Sequence, residues 1–160
     1  MAYDAEHDDG RRDFHFLYGR WAVRHRRLKT RGAGCDEWEV FAGTSFTQGL
    51  MGGLVNVEDN DFPDLGAQGL AFRTFDIANR RWSIYWVSSA SGLLQAPVHG
   101  RFDGGIGLFD GDDMDGDRPV KVVYRWDGIT GSTARWSQAF SYDGGETWET
   151  NWTMEFTRTA

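Results

Sequence analysis

The sequence predicts an all-β fold of antiparallel, hairpin-linked strands, and three observations carry that prediction. Short segments alternate apolar and polar residues at period two, glycines punctuate them at close intervals, and aromatic residues are abundant. Aromatics make up 15% of the 160 residues, with eight tryptophans, and 21 glycines supply turn positions. A chain of this length buries about two thirds of its unfolded surface around a single core, which implies one domain.

Residues 1–12, MAYDAEHDDGRR, mix charges of both signs without an apolar run and read as a flexible segment ahead of a domain spanning 13–160. Asp13 is placed to cap a short N-terminal helix through Phe14, Phe16 and Leu17, with Gly19 ending it. Strands follow. Trp21, Val23 and His25 share one face of the first, and Trp38, Val40 and Ala42 share one face of the second. The alternation continues through Leu70, Phe72 and Thr74; Trp82, Ile84 and Trp86; Val122, Tyr124 and Trp126; and Trp136, Gln138 and Phe140. It is longest in TWETNWTMEFTR. There Trp148, Thr150, Trp152, Met154, Phe156 and Arg158 share one face, and Glu149, Asn151, Thr153, Glu155 and Thr157 share the other, as in a strand with one wet side. Turn signals at Ile77 to Arg81, Ser89 to Gly92, Phe102 to Gly105, Gly111 to Asp117 and Asp127 to Ser132 divide the chain into about eight to ten strands. The absence of a repeat of about 40 residues argues against a propeller. Strands with one apolar face must pack as a sandwich or close into a barrel, and periodicity does not choose between them.

Composition narrows the function classes. A formal charge of -7 and a pI near 5.0 give no electrostatic footprint for nucleic acid or an anionic membrane, so neither is expected as a partner. The basic run RHRRLKTR, Arg24 to Arg31, reads as a solvated strand face. No apolar run approaches the ~18 residues of a spanning helix, and the N-terminus lacks a secretory pattern, so a cytoplasmic protein is expected. The single cysteine, Cys35, excludes an internal disulfide and a multi-cysteine zinc site. Histidines 7, 15, 25 and 99 are not spaced as a helix-borne metal pair. The acidic run FDGDDMDGD reads as a hairpin tip, because a calcium loop drawn through Gly116 would end on Val122 instead of a glutamate. No metal and no cofactor are expected.

Catalytic signals are sparse. There is no G-x-S-x-G elbow. Glu58 shares parity with Leu54 and Asn56; facing inward it could move protons, and the opposite register is equally open. His25, His99 and Tyr124 are the other candidates for that role. The octapeptide SYDGGETW, Ser141 to Trp148, fits the S-x-D-x-G-x-T-W Asp-box found in several copies on sialidase propellers. A single copy reads as a hairpin turn in which Asp143 binds backbone groups, Gly145 supplies positive φ and Trp148 packs beneath. On that reading Trp148 also sets the parity of the last strand.

Two further features point to a family. Gly19-Arg20-Trp21 matches the G-x-W that opens the first strand of lipocalins and their relatives, and Arg158 lies on the apolar face of the last strand. The runs FHFLYGRWAV, RRWSIYWVSSASG, PVHGRFDGGIGLFDG and FSYDGGETWETNW resemble a bacterial calycin-like (lipocalin-like β-barrel) domain family of unknown function. The resemblance implies a single closed antiparallel up-and-down barrel with an internal pocket, with Arg158 stacked over Trp21 at one end, and it implies no established reaction. The expected function is binding of a small apolar or aromatic molecule in a lumen lined by Trp38, Trp82, Trp86, Tyr124, Trp126, Trp136, Gln138 and Trp152. Two alternatives stay open: these aromatics fill the barrel as a packed core, or the lumen houses a cofactor-independent isomerase, cyclase or lyase using His25, Glu58, His99 or Tyr124. Pairing of two barrels into a homodimer through an outer face also stays open.

Overall fold

Ten antiparallel strands close into one barrel in the computed structural model, which describes residues 9–160. They are β1 (Gly19–Leu28), β2 (Trp38–Leu50), β3 (Val55–Phe62), β4 (Ala67–Asp76), β5 (Arg81–Ser88), β6 (Val98–Asp103), β7 (Ile106–Asp115), β8 (Arg118–Asp127), β9 (Thr133–Ser141) and β10 (Glu149–Arg158). Each pairs with its neighbours in sequence, and β10 returns to β1 from Trp21 opposite Arg158 to Arg27 opposite Trp152. Closure gives every strand a hydrogen-bonded neighbour on both sides, as the family resemblance implied. No helix among the described residues is long and apolar enough to cross a membrane.

One end of the barrel is filled. Phe14, Leu17, Trp21, Trp82, Phe109, Trp126 and Phe156 are almost completely buried there and form an aromatic plug. Phe14 meets Trp82 edge-on at 5.0 Å and Phe102 at 5.1 Å. The N-terminal segment crosses this end, and the Trp82 indole N–H donates to the Gly10 carbonyl at 3.2 Å. Residues 1–8 of the segment expected to be flexible lie outside the described residues. The short N-terminal helix is a single 3-10 turn, His15–Leu17, without a side-chain cap. It stops there because the chain must enter β1 at once, and the Leu17 carbonyl is taken by the Trp21 indole N–H at 2.9 Å.

Arg158 seals the same end. Its guanidinium lies 4.1 Å from the Trp21 ring centroid and donates to the carbonyls of Phe16 at 2.5 Å, Tyr18 at 2.6 Å and Gly131 at 3.1 Å. The G-x-W glycine is required by this arrangement. Gly19 has φ +107, and a Cβ there would lie 2.7 Å from the Ala160 carbonyl oxygen and 2.9 Å from Arg158 Nη1.

Three strands depart from the parity read in the sequence. In β2 the inward residues are Phe41, Gly43, Ser45 and Thr47, so Trp38, Val40 and Ala42 face outward. Trp38 packs there under the Arg26 guanidinium at 4.5 Å, a contact that keeps the charge in water. In β4 Gly69, Ala71, Arg73 and Phe75 face inward, and Leu70, Phe72 and Thr74 lie outside. In β10 a bulge intervenes: Thr150 pairs with Ala139 and Trp152 with Gln138, leaving Asn151 extra and buried. Trp148 therefore does not set the strand's parity. It lies before β10, 44% exposed, with its indole N–H donating to the Gly145 carbonyl at 3.2 Å. The turn itself is built around Asp143, whose carboxylate accepts from Ser141 Oγ at 2.8 Å and from the Thr147 N–H at 2.9 Å and hydroxyl at 2.5 Å. These bonds hold its carboxyl down at about 2.

Replacing Arg158 with alanine removes three charge-assisted bonds and the stacking on Trp21. Loss of about 3 kcal/mol is expected, read as a lower urea midpoint with an unchanged slope.

Candidate functional site

The plug occupies only one end. Toward the other, the lumen opens as a cavity of about 470 Å³, within the range of small-molecule sites. Trp86 from β5, Tyr124 and Trp126 from β8, Trp136 from β9 and Trp152 from β10 form its aromatic walls. Trp152 stands perpendicular to both Trp86 (6.1 Å, 88°) and Trp136 (5.5 Å, 90°), and Tyr124 packs edge-on against Trp136 at 5.1 Å. Arg27, Arg31, Leu65, Gln68, Gln95 and Met114 surround the mouth.

At the base of the cavity lies an ion pair. Arg73 and Glu58 are each 3% exposed, and Arg73 Nη2 donates to Glu58 Oε1 at 2.5 Å while Nη1 donates to Asn56 Oδ1 at 2.9 Å. The strand register explains the fork. Arg73 pairs directly with Asn56, and Glu58, opposite Ala71, sits one inward position along. The guanidinium also lies 4.7 Å from the Phe14 ring and 5.9 Å from Trp126, so the pair rests on the plug.

A second polar link fixes the wall. His25 is fully buried, stacked on Phe41 at 4.7 Å and 7°. The Trp152 indole N–H donates to His25 Nδ1 at 3.1 Å, so the neutral ring carries its proton on Nε2. That edge packs on β2, where a Cβ on Gly43 would lie 2.8 Å from Nε2. Burial, helped by the Arg27 charge, pushes the imidazole pKa down to about 4. Tyr124 is shifted the other way. Burial first and the Asp113 charge second raise its phenol above the ordinary value, and Arg73 partly opposes them.

The structure brings together most of the residues expected at the site. Trp86, Tyr124, Trp126, Trp136, Gln138 and Trp152 line the cavity, as do Glu58 and Tyr124 among the proton-handling candidates. Trp82 belongs to the plug and Trp38 to the outer face. His25 lies behind Trp152, and His99 is on an outward position of β6 with Nδ1 2.8 Å from Ser83 Oγ. Gln138 is oriented by donating Nε2–H to Asn151 Oδ1 at 2.8 Å. Sequence reasoning missed Arg73 and Ala71. Their only signal was shared parity with Phe75. The acidic run continues β7 into the β7–β8 hairpin: Asp112 pairs with Lys121 at 3.1 Å, Asp113 lies on the cavity wall, and Asp115 takes Arg31 at 3.0 Å and the Tyr142 hydroxyl at 2.6 Å.

No family model matches the chain, and no curated protein does. Among solved structures, an S-type phycobiliprotein lyase from Guillardia theta is similar, with a TM-score of 0.58 and 9% identity over 99% of each chain. At that identity the likeness is one of fold, along the whole length of the barrel.

The His25 geometry predicts a pH dependence. Between about pH 6.5 and pH 4 the unfolded chain binds a proton at His25 that the folded barrel does not. Its stabilising contribution is complete above pH 6.5 and is lost as pH falls toward 4, by about 3 kcal/mol in all. Urea titrations at pH 7, 5.5 and 4 should show this loss in the native protein and a flatter profile in His25→Gln.

Proposed function

We propose that the protein binds a small apolar or aromatic molecule in the barrel lumen. The observation that carries this reading is the open 470 Å³ cavity walled by Trp86, Trp136 and Trp152 at fixed mutual angles. Indole rings offer large contact area with only two side-chain torsions to freeze, so they suit recognition of flat apolar molecules. Trp152 is held further by its bond to His25. A wall already ordered before binding has little entropy left to lose.

One observation favours a second reading, a cofactor-independent enzyme of lyase or isomerase type. Glu58 and the Tyr124 phenol both reach the lumen, where a carboxylate and a hydroxyl could move a proton on a bound substrate. The similar solved barrel bears the name of a phycobiliprotein lyase, in line with this reading. A co-purified molecule recovered chemically unchanged after long incubation with the protein would count against it.

Ala71→Phe tests the binding reading. Ala71 is 5% exposed on the cavity wall between Glu58 and Trp86 in register, so a phenyl ring there fills the lumen. Overpacking should cost about 1–3 kcal/mol of stability and leave the barrel folded. Titration with Nile red should give saturable fluorescence enhancement with the native protein and none with the folded variant. Equal enhancement with both would reject the lumen as the site.

A further inference from the structure

Every guanidinium on the cavity wall already holds a carboxylate. Arg73 pairs with Glu58 at the base, and at the mouth Arg27 pairs with Glu39 at 3.4 Å and Arg31 with Asp115 at 3.0 Å. The remaining wall carboxylate, Asp113, lies at the mouth, half-exposed, and accepts the Met114 N–H at 2.7 Å. Deeper in, the polar groups other than the ion pair are neutral: the Gln138 amide and the Tyr124 phenol. An ionised ligand group reaching the tryptophan box would lose its hydration without gaining an uncompensated counter-charge. A neutral ring system carrying a carbonyl or an N–H loses little, because an amide and a phenol can each pair with it.

From this we propose that the Glu58–Arg73 pair makes the base of the lumen electroneutral and selects uncharged, flat aromatic ligands bearing hydrogen-bonding groups. The proposal rests on the lumen being a binding site and assigns Glu58 and Arg73 as its charge-selectivity residues. It also predicts how selectivity can be changed. Removing the charge of Glu58 alone leaves a buried guanidinium that an anion can neutralise, and removing Arg73 alone leaves a carboxylate that a cation can neutralise.

The test uses four three-ring probes of nearly equal size: acridone, which is neutral with an N–H and a carbonyl; anthracene, which is apolar; anthracene-9-carboxylate; and cationic 9-aminoacridine. Equilibrium dialysis against the native protein at pH 7 should find acridone bound at least about 10-fold more tightly than either charged probe and more tightly than anthracene. In Glu58→Gln, the affinity for anthracene-9-carboxylate relative to that for acridone should rise about 10-fold. In Arg73→Gln the gain should pass to 9-aminoacridine. A charged probe bound by the native protein as tightly as acridone overturns the selectivity assignment and leaves the binding site standing. So does an unchanged charge preference in either folded variant. Absence of binding by all four probes and by Nile red overturns the binding reading itself.

Discussion

The interior of this barrel is organised by an ion pair buried at the base of the open cavity, each side chain only 3% exposed. Arg73 and Glu58 project from adjacent strands into the lumen and pair with each other, with Asn56 taking a second donor of the guanidinium. Removing one partner of such a pair typically costs about 3–5 kcal/mol, because the other is left as an uncompensated buried charge. Their position therefore constrains everything around them. Phe14 and Trp126 pack against the guanidinium from the plug side, and on the other side the Glu58 carboxylate forms part of the cavity base. The pair marks the depth at which a dry aromatic core gives way to a lumen.

That boundary explains how one residue type serves two roles. Trp82 and Trp86 occupy inward positions of the same strand, separated by four residues or about 13 Å along β5. Trp82 falls within the plug, where the N-terminal segment covers it and Gly10 accepts its indole proton. Trp86 falls above the ion pair and presents its ring to the cavity. The sequence left a packed core and a ligand-binding lumen as alternatives, and the molecule has a packed end and an open cavity stacked along the barrel axis.

How much was legible follows from the same arrangement. The inward parity of β5, β8 and β9 was readable, because apolar residues there face a core or an aromatic lumen and period two reports it directly, whereas closure and the Trp21–Arg158 end were expected from the family resemblance and not from periodicity. The parity of β2 and β4 was misread where the inward face carries Gly43, Ser45, Thr47 and Arg73. Alternation identifies two faces of a strand but assigns the inner one by hydrophobicity, and a polar interior reverses that assignment. Trp38 was the consequence: its indole serves an outer cation–π contact with Arg26. The partner of Glu58 was hidden for the same reason, since an arginine in an alternating strand reads as solvent-facing.

The bulge at Asn151 was invisible to periodicity, and the shape of the site depends on it. In a regular strand successive side chains point to opposite faces, so an inward Asn151 would send Trp152 outward. The extra residue lets both turn in: Asn151 accepts from Gln138, and Trp152 enters the lumen in phase with Met154 and Phe156. Only in that phase can the Trp152 indole N–H reach His25 across the β1–β10 seam and stand perpendicular to Trp86 and Trp136. The Asp143 turn contributes by delivering the chain into β10 just before the bulge, with its own hydrogen bonds already closed. The octapeptide that resembles a sialidase mark is thus linked to the candidate site through backbone geometry. It anchors the end of the strand whose irregularity places the central tryptophan of the lumen.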